Sequence, residues 1–346
     1  MLGNGWSQLP ANRVVNSRMR EVVATANANV ALAKYWGKRD HALNLPYTGS
    51  LSITLSGLTT TARATFISGQ SEDRIVLEGL EADEAEARRF RGFLDLIRST
   101  AGIQARAEVA IKSNFPVAAG LASSASTFAA LTVAATRAAG LSLSSEHLSL
   151  LARRGSGSAA RSIHGGYVEW LAGEASDGSD SKAVQVAQPD YWSIGVVIAV
   201  TDEGRKRVGS RAGMEHVVKH SPFFPQWLES HDADLEAIRQ AIQDRDLKRV
   251  GETAEHNCLK MHAISMAARP SILYWRPATV AVIQRVAELR HQGIEAYFTI
   301  DAGPQVKVLC LQHQRALVAE EIGRVAGVQR VLLSGPGGGA RVVEGA

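Results

Sequence analysis

Apolar positions alternate or run together in short blocks along the chain, separated by polar, glycine-containing breaks. From Glu21 to Leu55, "REVVATANANVALAKYW" and "SLSITLSGL" are rich in β-formers and predict strands around the break "DHALNLPYTGS". "TARATFISG" and "DRIVLEGL" predict a second strand pair. The polar, helix-favouring "EADEAEARRFRGFLDLIRSTAG" predicts a helix closed at Gly102, and "ARAEVAIKSNFP" one more strand. "STFAALTVAATRAAG" is apolar on nearly every face, the pattern of a buried helix. "SSEHLSLLARRG" predicts a short amphipathic helix capped by Ser144 or Ser145. Further on come a strand at 194–200, a helical region over about 224–290, strands in "EAYFTIDAG" and "VKVLCL", a helix to about Ala326 and the segment "VQRVLLSGPGGGARVV".

The turn-rich "ASDGSDSKAVQVAQPD" places a domain boundary near Asp190. The expected organisation is a loose tail over 1–20, one domain over 21–190 and another over 191–346. The tail lacks the apolar core of a signal peptide, and Met19 is a candidate start.

Hydrophobic residues make up 45% and charged residues 21%, so the chain is expected to fold throughout. The net charge of +4 is scattered, which predicts no nucleic-acid partner and suits a small anionic substrate. The two cysteines, Cys258 and Cys310, form no CxxC pair; this fits a reducing cytoplasm and gives no metal site. The longest apolar block, "IGVVIAV", falls far short of the roughly 20 residues that span a bilayer, so no membrane partner is expected.

Candidate chemistry begins at "NFPVAAGLASSAS". A strand-like segment ends at Pro116, Gly120 permits a tight turn, and Ser123, Ser124 and Ser126 stand where a helix begins. Unpaired N–H groups and the positive dipole end of such a helix attract an anion. A serine-capped core helix is the bland alternative, and the Walker pattern is absent. The stretch resembles the nucleotide loop of the GHMP small-molecule kinase superfamily. That resemblance implies an ATP site at Pro116, Ala119, Gly120, Leu121, Ser123, Ser124 and Ser126. Mg²⁺ would arrive with ATP, touching Ser124, without a dedicated set of protein ligands.

Three more stretches, "ANVALAKYWGKRD", "RRGSGSAARSIHGGYVEW" and "YFTIDAGPQVKVL", narrow this further. Together they resemble the mevalonate 5-diphosphate decarboxylase family from about Val22 to the C-terminus. The resemblance implies an α+β, GHMP-kinase-like two-domain fold: a left-handed β-α-β unit in the N-terminal domain, a ferredoxin-like C-terminal domain and the site in the cleft between them. It implies substrate contacts at Tyr35, Trp36, Gly37, Lys38, Ser156, Gly157, Ser158 and Arg161, and catalytic roles for Asp301, Lys34 and Arg161. "KRVGSRAGM" adds Ser210 and Arg211 at the diphosphate, and Arg88 falls about where some members carry a further phosphate-contacting arginine. A cytoplasmic homodimer using ATP, Mg²⁺ and mevalonate 5-diphosphate is the corresponding expectation. Two positions depart from the family pattern: Gln305 stands for an asparagine after "DAGP", and "PYTGS" carries Gly49 for a serine or asparagine; both are expected to alter the fit near substrate.

The chemistry suits these residue types independently. A tertiary alcohol must be phosphorylated before it can leave, and loss of phosphate with CO₂ gives an alkene. Asp301 would orient or deprotonate the alcohol while Lys34 keeps it ionised. Arg161 offers a planar fork to the substrate carboxylate, and Lys38 and Arg211 offer charge to its diphosphate. Taken singly, "DAG" reads as a turn, Lys34 as a snorkelling side chain, "GSGSAAR" as a flexible loop and "SGPGGGA" as a plain glycine turn; His164 and His262 read as structural. Three rivals remain: a decarboxylase of mevalonate 5-phosphate, a 3-kinase of a mevalonate derivative, and a non-catalytic metabolite-binding protein on the same scaffold.

Overall fold

The computed structural model describes residues 20–116, 123–204 and 206–343. The expected loose tail and the turn residues Ala119, Gly120 and Leu121 lie outside the described residues.

The chain begins with β1 (Val22–Ala33), then a small hairpin of β2 (Lys38–Asp40) and β3 (Leu45–Pro46), and returns along β4 (Ser50–Ile67). "SLSITLSGL" and "TARATFISG" are therefore one 18-residue strand and not two. Gly57, at φ +78°, lets the strand bend without breaking, and β1 follows it through a register shift between Asn27 and Asn29. Next come β5 (Arg74–Leu77), β6 (Leu80–Glu81), α1 (Glu84–Ala101) and β7 (Arg106–Ser113). "DRIVLEGL" does not pair with "TARATFISG" as expected: β7 inserts between them, antiparallel to β4 and parallel to β5, with α1 in the crossover. Asp83 caps α1, and Gly102 closes it in the left-handed region at φ 65°, as the sequence predicts.

Helix α2 (Ser123–Ala138) is buried along most of its length. Phe128 stacks on Phe90 of α1 with ring centroids 5.1 Å apart. Then follow α3 (Ser145–Gly155), capped by Ser144, the single turn α4 (Ala159–Ser162), β8 (Tyr167–Trp170) and β9 (Ala183–Ala187).

The second half opens on the wholly buried β10 (Ile194–Val200). Helix α5 (Ser210–His220) precedes the expected helical region, which is divided into α6 (Phe224–Asp244), α7 (Leu247–Met266) and α8 (Pro277–His291). Strands β11 (Ala296–Ile300) and β12 (Val306–Leu311), helix α9 (Arg315–Gly323) and β13 (Arg330–Ser334) complete an antiparallel sheet in the order β11-β12-β10-β13. The last strand, β14 (Arg341–Val342), crosses back and pairs with β1.

That return corrects the reading of "SGPGGGA" as a plain turn. A Cβ on Gly337 would lie 2.6 Å from the Ser56 backbone nitrogen, and one on Gly339 2.4 Å from the Ile163 carbonyl oxygen. The glycines let one backbone pass directly against others.

One hydrophobic cluster joins the halves: Val30, Leu32, Leu51 and Ile53 of the first sheet pack with Val196 and Ile198 of β10 and with Leu235, Ile238 and Val250 of α6 and α7. Shared burial of this kind makes the relative placement of the two sheets part of the fold.

Candidate active site

The C-terminal ends of β1 and β11 meet over this shared core. The β1–β4 register shifts again between Ala31 and Ala33. The Ala31 carbonyl accepts from Lys34 Nζ (2.8 Å) and from Thr299 Oγ1 (3.2 Å). The Lys34 backbone N–H donates to Asn257 Oδ1 of α7 at 2.8 Å, which fixes the strand end. From the facing sheet, Asp301 follows β11 at a tight turn closed by Gly303 N–H to the Asp301 carbonyl (2.7 Å). "DAG" is thus a turn, and the turn presents a carboxylate. Lys34 Nζ lies 2.8 Å from Asp301 Oδ1 and Lys307 Nζ 2.9 Å from Oδ2. Burial alone raises a carboxylic acid, but Lys307 and Lys34 outweigh it and hold Asp301 well below the usual carboxylate range.

Arg161, on α4, is buried. Its Nη1 and Nε donate to Ser50 Oγ (2.6 Å) and Ser52 Oγ (2.9 Å), and its Nη2 to Asn29 Oδ1 (3.2 Å). These acceptors are neutral, so burial lowers the guanidinium to about 10 against the pull of Asp301 and Tyr35. A buried cation held by hydroxyls and an amide is poised for an anion.

Asp301, Lys34 and Arg161 line one cavity of about 390 Å³. Tyr35, Trp36 and Lys38 from the same strand end line it too, as do Ser156, Gly157 and Ser158, Ser123 and Ser124 at the start of α2, and Ser210 and Arg211 at the start of α5. Among the described residues the Tyr35 hydroxyl and the Trp36 indole N–H are buried without a hydrogen-bond partner. Lys38 Nζ donates to Asn44 Oδ1 at 2.5 Å. Burial, with Arg211 and Arg89 nearby, lowers Lys38 to about 8.

Other expected residues lie off the cavity wall. Ser126 is on the buried side of α2, its hydroxyl 2.7 Å from Thr60 Oγ1, so it serves packing and not a phosphate. Gly37, at φ +106°, is a backbone requirement: a Cβ there would meet the Phe224 ring at 2.8 Å. Pro116 is half-buried and outside the lining. Arg88 points to solvent beside Glu84, and it is Arg89 that reaches the cavity, donating to the Gly155 carbonyl at 2.9 Å.

Both departures from the family pattern fall off the wall as well. The Gln305 side chain accepts from Thr201 N–H (2.6 Å) and donates to the Asp202 carbonyl, and Gly49 packs against Leu235. Neither position lines the cavity directly. His262 is buried, and burial with Lys34 nearby pushes it down to about 3, keeping it neutral.

Sequence reasoning missed Asn29, Asn44, Lys206 and Lys307. Lys206 donates to Ser210 Oγ (2.8 Å) and the Ala302 carbonyl (2.7 Å), and burial lowers it to about 8. Lys307 did leave a signal: it is a lysine inside the apolar block "VKVLCL". Among the described residues the cavity wall carries the cations Lys34, Lys38, Arg89, Arg161, Lys206 and Arg211 and the carboxylate Asp301. Among the described residues no group of three or more His, Cys, Asp or Glu stands together. The serine hydroxyls of Ser123 and Ser124 at the start of α2 are the wall groups that could hold nucleotide phosphates and an accompanying metal.

An anion-seeking cavity between these two sheet domains, with a serine-rich helix start on its wall, defines an enzyme of the GHMP small-molecule kinase class. The family model for the diphosphomevalonate decarboxylase-like N-terminal domain matches residues 26–183, and that for the mevalonate 5-diphosphate decarboxylase C-terminal domain matches residues 196–332. The chain belongs to the mevalonate 5-diphosphate decarboxylase family.

It is 36% identical over 304 residues to the diphosphomevalonate decarboxylase of Candida albicans, covering 84% of each chain. It is similar to the crystal structure of mevalonate diphosphate decarboxylase from Staphylococcus aureus, with a TM-score of 0.89, 36% identity, and 94% of this chain and 98% of that one covered. It is also similar to the structure of MDDEF in complex with MVAPP, AMPPCP and magnesium, with a TM-score of 0.88, 37% identity, and coverage of 94% and 99%.

Proposed function

We propose that the protein catalyses the ATP-dependent decarboxylation of mevalonate 5-diphosphate to isopentenyl diphosphate, with CO₂, ADP and phosphate as the other products. The observation that carries this reading is the Lys34–Asp301 pair facing the carboxylate-free Arg161 across one cation-lined cavity. The named relatives, and the neighbour solved with MVAPP, AMPPCP and magnesium, support the same reaction and co-substrates.

Asp301 accepts a hydrogen bond from the substrate 3-hydroxyl and orients its oxygen for phosphorylation, and Lys34 keeps the carboxylate ionised. Arg161 pairs with the substrate carboxylate. Once the 3-oxygen carries phosphate, the C1–C2 electron pair becomes the new C2–C3 double bond as the C3–O bond breaks and CO₂ departs. Tyr35, Lys38, Ser210 and Arg211 bind the diphosphate, aided by Ser156 and Ser158. Ser123 and Ser124 hold the nucleotide phosphates, and Ser124 is the residue suited to the magnesium ion, which offsets phosphate charge when bound. Family resemblance favours a cytoplasmic homodimer divided near Asp190; no described helix is long and apolar enough to cross a membrane.

The test supplies mevalonate 5-diphosphate or mevalonate 5-phosphate with ATP and Mg²⁺ and follows ADP and alkene separately. The diphosphate is expected to be preferred in kcat/KM by about 10², since charge-assisted bonds contribute about 1.5–3 kcal/mol each. Equal use of the monophosphate, or ADP without alkene, overturns the assignment.

A further inference from the structure

Lys307 is a buried cation of this centre to which the proposed chemistry gives no task. It is the second residue of β12, opposite Ile198 of β10 and Thr299 of β11, with its side chain 2% exposed. Neighbouring positions on the strand hold Val306, Val308 and Leu309, so an aliphatic residue would suit the burial there. The lysine is costly: burial of an ammonium is unfavourable without compensation, and Lys34 already supplies Asp301 with a counter-charge. Lys307 does not line the cavity; it reaches Asp301 Oδ2 from behind while Lys34 takes Oδ1.

We infer that Lys307 is a positioning residue for the reaction: by fixing the second oxygen of Asp301 it presents the carboxylate to the substrate hydroxyl in one orientation and one charge state. This rests on the decarboxylase reading above. A carboxylate held by one lysine still pivots about its Cβ–Cγ bond, and its free oxygen swings across the cavity. Held at both oxygens it keeps the remaining lone pairs aimed at one point, which is what near-attack geometry requires.

Among the described residues, the charged and titratable groups facing Asp301 are Lys34 after β1, Lys307 from β12, Arg161 from α4, Lys206 ahead of α5, and Cys258 and His262 from α7. Of these, Lys34 and Lys307 contact its carboxylate. Protonation of Asp301 is therefore governed chiefly by that pair of contacts.

The experiment compares Lys307→Met and Lys307→Arg with wild type. Lys307→Met is expected to lower kcat about 10- to 10²-fold with KM for both substrates within about threefold, and to move the acid limb of kcat upward by about one pH unit. Lys307→Arg, which keeps the charge, is expected to recover most of the rate and the wild-type limb. If Lys307→Met does not fold, Lys307→Gln gives the same readouts. Wild-type kcat with an unmoved limb in the neutral variant overturns the inference, as does an arginine variant no better than the neutral one. A ¹³C titration of the Asp301 carboxyl, assigned with Asp301→Asn, reads the coupling without turnover. A midpoint that rises in the neutral variant supports the clamp even if mevalonate 5-diphosphate proves not to be the substrate, and an unchanged midpoint overturns it.

Discussion

Lys34 Nζ and Asp301 Oδ1 stand 2.8 Å apart although 267 residues separate them in the chain. They come from different sheets: one follows β1, the other β11, and the cluster shared by Leu32, Ile53, Ile198 and Leu235 sets the distance between the strand ends. The ion pair is thus a product of packing across the two halves, and its chemistry can be disturbed separately from the fold.

Asp301→Asn keeps the side-chain size and removes the charge. kcat is expected to fall about 10³-fold or more with KM within a few fold, because a group acting on the reacting oxygen is lost. The same change strips Lys34 and Lys307 of their counter-charge, so urea unfolding near neutral pH should show a loss of about 3–5 kcal/mol. That deficit should shrink at alkaline pH, where Lys307, lowered by burial, can shed its proton. Unaltered turnover would remove Asp301 from the mechanism.

Arg161→Lys tests the fork. One ammonium cannot replace the three contacts to Ser50, Ser52 and Asn29 while also meeting a planar carboxylate. kcat/KM for mevalonate 5-diphosphate is expected to drop by about 10². Steady-state kinetics decide it, and a loss under fivefold would reassign the carboxylate partner.

Substrate affinity should depend on pH through Lys38 and Lys206, both lowered to about 8 by burial. Below that value they are charged and meet an anion directly. Above it they are neutral in the free enzyme, and binding must take up protons. KM for mevalonate 5-diphosphate should therefore rise as pH climbs above about 8, by up to tenfold per unit for each group. A KM flat between pH 7 and about 9.5 at constant ionic strength would show that neither lysine titrates against the substrate.

The glycines near the C-terminus should be intolerant of a methyl group for a steric reason. In Gly337→Ala the new Cβ meets backbone atoms of Ser56, which cannot step aside as a side-chain tip can. A loss of about 1–3 kcal/mol is expected in denaturant unfolding. Gly92→Ala, in the interior of α1 with nothing within 4 Å, should instead gain about 0.5–1 kcal/mol. Equal effects of the two substitutions would refute the account of "SGPGGGA" as a close backbone crossing.

The sequence by itself determined the local elements and the residue types of the chemistry. Periodicity and caps marked α1 with Gly102, α3 with Ser144 and the buried β10, because those signals lie within a few residues of one another. The motifs around Lys34, Ser156, Arg161 and Asp301 named a phosphate and carboxylate chemistry before any distance was known. What only the tertiary structure decided was contact between distant segments. That β7 inserts between β4 and β5, that Arg89 and not Arg88 turns inward, that Ser126 faces Thr60, and that Gln305 secures Thr201 instead of lining the cavity all depend on which side of an element meets the core. Lys307 shows the reason most directly. In the chain it is a polar interruption of an apolar block; only when β12 packs beside β11 does its ammonium come within 2.9 Å of Asp301, where burial turns a local oddity into an electrostatic constraint on the site.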